Sequence, residues 1–81
     1  MTETFHLVVA TVGETKFDGA AISATLPGAG GVMTILAHHE PIVSILKRGS
    51  LMVKVQDGET KNFEIESGVV EVNMNKVIVL L

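Results

Sequence analysis

The chain has 81 residues, of which 47% are hydrophobic and 19% charged, with a formal net charge of −3 and no cysteine. This length accommodates one domain with a single small core, and the hydrophobic fraction is typical of a folded chain. The missing cysteine excludes disulfides, thiolate metal sites and thiol nucleophiles. The six basic residues are scattered and Tyr and Trp are absent, so we expect no nucleic-acid binding. No apolar run approaches the roughly 18–20 residues of a membrane span, so we also expect no direct membrane insertion.

Taken in chain order, the apolar residues fall into short β-rich runs. These runs are FHLVVATV, AAISATL, VMTIL, PIVSIL, LMVKVQ, NFEIE, GVVEV and KVIVLL. Turn residues separate them, at Gly13, Asp18-Gly19, Pro27-Gly28, Asp57-Gly58 and Asn73–Asn75. About eight to ten short strands predict an all-β fold, a small antiparallel β-sandwich or flattened barrel with no helical domain.

Two local predictions differ in how strongly the sequence supports them. The hairpin that joins LMVKVQ to NFEIE is the clearest, because Asp57-Gly58 supplies the positive φ of a tight turn. In EPIVSILKRG a helix competes with a strand, since Ile42, Ile45 and Leu46 would share a helical face. Its β-branched residues and the proline at position 41 favour a strand.

Three runs, HLVVA, IVSIL and VIVLL, have apolar residues at both odd and even positions. Side chains alternate between the two faces of a strand, so these strands would be apolar on both faces. One interpretation makes them central strands of a two-layer core. The other makes some of their outward faces a patch that binds another protein.

The stretch TILAHHEPIV contains three groups that could ligate a metal, His38, His39 and Glu40. Adjacent side chains of a strand point to opposite faces, so His38 and His39 would not converge on one ion. His38 and Glu40 could share a face, but a three-ligand site would also require His6 to approach this loop. The spacing therefore gives no support for a metal site beyond the residue types.

Nucleophilic catalysis and phosphate binding are equally weakly supported. A triad of His39 with Ser44 or Ser67 can be drawn, but no nucleophile motif surrounds either serine. The segment PGAGG lacks the lysine and the helix of a phosphate-binding loop, and we interpret it as a flexible turn. We expect no catalytic residue and no cofactor, and we predict that the histidines shape a turn from which Pro41 starts the next strand.

Four stretches, in order, resemble the amino-terminal β-sandwich domain of the epsilon subunit of F-type ATP synthases, called delta in mitochondria. FHLVVATVGETKFDG resembles its opening strand and F-x-G signature, and LPGAGGVMTILAHHEP resembles its G-x-x-G-x-x-G-I-L-P-x-H-x-P stretch. ILKRGSLMV is similar to its l-K-x-G-x-l-x-i, and ESGVVEVNMNKVIVLL to its s-G-G-x-x-E-V-x-x-x-x-V-x-V-L. Together the stretches cover nearly all 81 residues.

The resemblance implies a non-catalytic central-stalk subunit that links the gamma subunit to the c-subunit ring and couples ion-driven rotation to ATP synthesis. It also implies a hetero-oligomeric complex, peripheral to the cell membrane on its cytoplasmic face. By motif match, two loops would face the ring, with His39 in the family's loop-histidine position. The residues of these loops are Gly28, Ala29, Gly30, Gly31, Ala37, His38, His39, Glu40 and Pro41.

The sequence also departs from the family pattern. Ala37 stands where the family usually has Pro, Thr34 and Ser67 each replace a Gly, and Val32 stands where relatives often carry an acidic residue. Relatives usually continue into two carboxy-terminal helices that inhibit ATP hydrolysis. Because the sequence shows none, we expect one domain over residues 1–81 that does not inhibit in this way.

Two other functions remain open at this point. One is a generic β-sandwich adaptor that binds a different protein through its apolar faces. The other is a small metal-dependent β-barrel enzyme of cupin type that would use His6, His38, His39 and Glu40. Co-purifying subunits would distinguish the first from a rotor subunit, and metal content would test the second.

Overall fold

The computed structural model describes residues 3–81, and every regular element in this range is a β-strand. The eight strands are β1 (Phe5–Thr11), β2 (Glu14–Gly28), β3 (Gly31–Leu36), β4 (Ile42–Leu46), β5 (Gly49–Val55), β6 (Thr60–Ile65), β7 (Gly68–Asn73) and β8 (Lys76–Leu80). The predicted all-β fold is confirmed, and the ambiguous run EPIVSILKRG contributes strand β4. Within residues 3–81 there is no helix capable of crossing a membrane.

The strands form two layers that share the long strand β2. The first part of β2, up to Ala21, pairs with β1, and the part from Ala21 to Gly28 pairs with β3 and β5. One layer therefore runs β4-β7-β8-β1-β2, and the other runs β3-β2-β5-β6. The β2–β5 register shifts between Ala21 and Ser23, an irregularity of the kind that lets a strand bend from one layer into the other. A single pair, Gly28 with Leu46, joins β2 to β4 and closes the circuit of strand pairs.

Two features of the sheet differ from the sequence prediction. Asp18-Gly19 and Pro27-Gly28, interpreted as turns, lie inside β2 because neighbouring strands pair with both segments and override the local turn preference. Pro27 is tolerated at the end of the strand, where its carbonyl accepts the N–H of Lys47 at 2.8 Å. The second difference is that β1 and β8 run parallel, whereas all other pairs are antiparallel.

The core lies between the two layers and is formed by inward-facing apolar side chains from both. Side chains alternate between the core and solvent along β5 and β6, with Leu51, Val53 and Ile65 buried and Met52 and Lys54 exposed. The largest fully buried side chains are Phe5, Leu7, Leu26, Ile35, Leu46, Leu51, Val9, Val53, Val70, Val72, Val77 and Val79. None of the described residues is a buried charged or polar one, so the core is held by apolar packing.

The β5–β6 hairpin has the predicted turn. Gly58 has φ +92°, a conformation that glycine adopts without strain. The side chain of Asp57 accepts the backbone N–H of Glu59 at 2.9 Å, and the N–H of Val55 donates to the carbonyl of Glu59 at 2.9 Å. The turn chemistry read from the sequence therefore fixes the register of this hairpin.

Candidate functional site

The first predicted loop, Gly28–Gly31, is the tip of the β2–β3 hairpin. The strands pair up to Gly28 opposite Gly31, which leaves a two-residue turn of Ala29 and Gly30. A Cβ on Gly28 would lie 2.6 Å from the carbonyl oxygen of Gly31, so glycine is required there by close backbone approach. The N–H of Ala29 donates to the carbonyl of Ile45 at 2.8 Å, which ties the tip to β4. The glycine-rich segment is thus a tight, anchored hairpin rather than the flexible turn we expected.

The second predicted loop, Ala37–Pro41, connects β3 to β4. His38 has φ +63°, a left-handed conformation that is strained for a residue with a side chain. Two contacts compensate for the strain. The His38 backbone N–H donates to Oδ1 of Asn75 at 2.7 Å, and its ring Nε2 lies 2.9 Å from Oε1 of Glu3. Nδ1 of His39 donates to the carbonyl of Glu40 at 2.8 Å, so this histidine shapes its own loop, as predicted.

Asn75 joins three segments at this end of the sandwich, although the local sequence indicates only that it belongs to a turn. It lies in the two-residue β7–β8 turn, where Met74 and Asn75 both have positive φ. Its side chain accepts from His38 and donates to the carbonyl of Thr4 at 3.0 Å. Its own carbonyl accepts the N–H of His6 at 3.2 Å. Asn75 therefore holds the histidine loop, the β7–β8 turn and the amino-terminal segment together.

The two predicted loops are not close to each other. They lie at opposite ends of β3, whose six residues run from Gly31 to Leu36 and span about 17 Å. β3 pairs only with β2, so it is an edge strand. A surface that includes both loops must therefore extend along the β3 edge rather than across one end of the sandwich.

The arrangement of the histidines gives no metal or catalytic centre. His38 pairs with Glu3, His39 bonds to a backbone carbonyl, and Nε2 of His6 lies 2.6 Å from Oδ1 of Asp18. Over residues 3–81, no three His, Asp or Glu side chains are grouped so that they could hold an ion. The cupin-type alternative needs His6 to meet the histidine loop, and the structure keeps them in separate pairs.

One outer face of the sandwich is apolar. It is formed by the apolar side chains among the outward residues of β1, β4, β7 and β8, which alternate with the core residues. These residues, the apolar face, are Val8, Ala10, Val43, Ile45, Val69, Ile78 and Leu80. Strand pairing aligns Ile45 with Val69, Val69 with Leu80 and Leu80 with Ala10, so the face is continuous across four strands.

Four large apolar side chains of this face are exposed to solvent, namely Val43, Ile45, Val69 and Leu80. Val43 and Ile45 are 71% and 66% exposed, although both are large aliphatic side chains on a regular strand. The three doubly apolar runs in the sequence are β1, β4 and β8, and each contributes to this face. A contiguous apolar patch on a folded domain is characteristic of a protein-binding surface.

The opposite outer face is mostly polar. This polar face consists of outward side chains of β3, β2, β5 and β6, and its exposed large apolar residues are Val32, Leu36 and Met52. Its polar residues are Ser23, Thr25, Thr34, Ser50, Lys54, Thr60, Asn62 and Glu64. Thr25 and Thr34 face each other across two strands with their hydroxyl oxygens 3.4 Å apart. This composition suits a face that remains in water.

Comparison with known sequences matches this chain to members of one protein family. A family model described as the β-sandwich domain of the ATP synthase delta/epsilon chain matches residues 4–81. The ATP synthase epsilon chain of Chlorobium limicola is 34% identical over 76 residues, which cover 94% of this chain and 86% of that protein. The epsilon chain of Thioalkalivibrio sulfidiphilus is 36% identical over 81 residues, 99% of this chain and 57% of its own length. The chain thus spans little more than half of some relatives and most of others.

Solved structures show the same fold. A chain in the mitochondrial ATP synthase of Euglena gracilis, solved with its F1 part and c-ring, matches 95% of this chain with a TM-score of 0.90 and 25% identity. The match covers 49% of that chain. A chain from the central stalk and c-ring of the Tetrahymena thermophila enzyme matches 98% of this chain with a TM-score of 0.79 at 16% identity, a likeness of fold alone.

Proposed function

The chain belongs to the ATP synthase delta/epsilon β-sandwich family, and we propose that it links the gamma subunit to the c-subunit ring in the central stalk of a rotary ATP synthase. In this role it is a non-catalytic subunit, as the epsilon chains it resembles indicate. It catalyses no reaction itself. Its role is to couple rotation of the ring to ATP synthesis in the catalytic head. It therefore acts as part of a membrane-associated hetero-oligomer, on the cytoplasmic face of the cell membrane.

The observation that carries the proposal is the apolar face. In the isolated chain its side chains are hydrated, and burying one fully against a partner contributes about 1.5–3 kcal/mol. Several such side chains on one regular surface supply the apolar centre of a stable interface. We assign this face to the gamma subunit. On the polar face the exposed apolar side chains Val32, Leu36 and Met52 are separated by Ser23, Thr25 and Thr34 and form no continuous row.

The construction of the domain suits a part that transmits torque. Strand pairs form a closed circuit through β1, β8, β7, β4 and β2, so no strand of the circuit can slide without breaking hydrogen bonds on both sides. Core residues from both layers fill the interior. A closely packed interior has low compressibility, so the domain would transmit force with little deformation.

Tagging the chain in its own organism and purifying it under mild detergent tests the proposal. We expect the gamma subunit and the c subunit to co-purify in stable proportion. A stable complex that lacks both would instead support the generic adaptor. Metal analysis of the same sample addresses the cupin-type alternative, for which near-stoichiometric zinc, iron or manganese that is lost in His39→Ala would be required.

The ring-facing loops are part of the same proposal. Because Gly28–Gly31 and Ala37–Pro41 flank β3, the ring would contact the β3 edge along its length. The chain has no cysteine, so a single introduced thiol is a unique label. We expect a photoactivatable maleimide on Ala29→Cys and on Glu40→Cys to label the c subunit, whereas Asn62→Cys on the polar face does not. Labelling from neither loop would overturn the assignment.

We further propose that residues 1–81 act as one domain that leaves ATP hydrolysis uninhibited. The inhibitory part of longer relatives is helical, whereas the regular elements within residues 3–81 are strands. Adding the chain to ATP synthase from the same organism, purified without this subunit, should leave the hydrolysis rate undiminished. A strong, saturable decrease in that rate would contradict this proposal.

A further inference from the structure

A single carboxylate interrupts the apolar face. Glu71 lies on the outward side of β7, directly opposite Val43 of β4 on one side and Ile78 of β8 on the other. Ile78 is in turn opposite Val8 of β1. Glu71 therefore occupies a row that is otherwise apolar across four strands, and a partner that covers this row must cover Glu71 as well.

The chain itself does not neutralise this carboxylate. No cationic nitrogen of residues 3–81 lies within 4.0 Å of Glu71. Lys76 belongs to the next row, where it stands opposite Asn73 and His6, and His6 is paired with Asp18. In the isolated chain Glu71 is exposed and hydrated, so its charge carries no penalty there.

When a partner covers the apolar face, Glu71 loses its water of hydration. A carboxylate that loses its water without gaining a partner is strongly unfavourable, whereas one that meets a well-placed cation is held by charge-assisted hydrogen bonds. We propose that the protein covering the apolar face presents a lysine or arginine to Glu71, and that this ion pair sets the register of the interface. The proposal rests on the assignment of this face to the gamma subunit.

Register is the property that an apolar face alone cannot provide. Aliphatic rows on a sheet offer many offsets of similar energy, whereas a single charge allows only the offset that brings the cation to Glu71. For a rotor subunit, a defined register means a fixed angular position relative to the gamma subunit of the central stalk. Glu71 is thus a specificity-determining residue rather than a general source of affinity.

The test compares two substitutions at Glu71 by the Kd for ATP synthase from the same organism, purified without this subunit. We expect Glu71→Gln and Glu71→Val each to weaken binding about tenfold or more, because both leave the partner cation buried and unpaired. Glu64→Gln and Glu64→Val, on the polar face, are the matched controls and should leave Kd unchanged. Circular dichroism of all four variants verifies folding.

The change in Kd caused by Glu71→Val distinguishes an ion pair from simple apolar burial. Without a partner cation, Glu71→Val would extend the apolar face and bind as tightly as the unchanged chain or more tightly, and that result overturns the ion pair while leaving the proposed function intact. Failure of the unchanged chain to bind overturns both. Loss of affinity with both Glu71→Gln and Glu71→Val supports the ion pair.

Discussion

The two outer faces of the sandwich are made from strands of the same kind, but their side chains differ in character. The face of β1, β4, β7 and β8 presents aliphatic rows. The face of β3, β2, β5 and β6 presents mainly hydroxyl, amide and charged groups, with Val32, Leu36 and Met52 dispersed among them. The fully buried side chains between the two layers are all apolar. Because the interior already satisfies the requirements of folding, the aliphatic rows on the outside are available for another protein. The difference between the faces therefore separates what folds the chain from what assembles it.

The largest expected effect tests whether inward and outward apolar residues have these separate roles. Leu51→Ala removes a fully buried side chain and should lower the free energy of unfolding by about 2–5 kcal/mol. Leu80→Ala, on the apolar face, should change it by less than about 0.5 kcal/mol. Urea unfolding followed by circular dichroism measures both, and equal losses would show that the apolar face supports the fold of the isolated chain.

A charge on the apolar face should affect assembly strongly. Ile45→Asp places an unpaired carboxylate where a partner must pack, and we expect binding to ATP synthase that lacks this subunit to weaken about 100-fold. Asn62→Asp adds the same charge to the polar face and should change Kd little. The comparison between the faces fails if both variants bind equally well, provided that both have the unfolding free energy of the unchanged chain.

A smaller effect is expected at the border of the apolar face, where Asn75 fixes the β7–β8 turn. Asn75→Ala removes the contacts to His38 and Thr4 and puts a less suited residue at φ +60°, so stability should fall by about 1–3 kcal/mol. Asn75→Gly keeps the turn conformation and should lose less. Thermal unfolding distinguishes the two, and identical midpoints would mean that backbone conformation plays no part.

The smallest effect is expected for the exposed ion pair of Arg48 and Glu66. Nε of Arg48 lies 3.8 Å from Oε1 of Glu66, and both side chains are more than 80% exposed. A solvated pair of this kind contributes little, so Arg48→Ala should change the free energy of unfolding by less than about 0.5 kcal/mol. A larger loss in urea unfolding would indicate that surface charge, and not apolar packing alone, holds the layers together.

Features that depend on neighbouring residues could be predicted from the sequence. The β5–β6 hairpin follows from Asp57-Gly58 between two alternating runs, and strand β4 follows from its β-branched residues. The length of β2 could not be predicted, because pairing with strands distant in sequence overrides the turn preference of Asp18-Gly19 and Pro27-Gly28.

The candidate sites depended even more on long-range contacts. The bond from His38 to Asn75 joins residues 37 apart, and that from Asn75 to Thr4 joins residues 71 apart, so no local pattern indicates either. The doubly apolar runs did indicate a binding patch, but only strand order and register show that they form one continuous face with Glu71 within it. The ring-facing role of Gly28–Gly31 and Ala37–Pro41 stays a prediction.

Hydroxyl-radical footprinting of the chain, free and within purified ATP synthase, tests the central claim most directly. It reports the solvent exposure of individual side chains and needs no substitution. We predict that Ile45 and Leu80 lose most of their labelling on assembly, whereas Met52 on the polar face keeps its labelling. Unchanged labelling of Ile45 and Leu80, with protection of Met52 instead, would contradict the assignment of the apolar face to the partner.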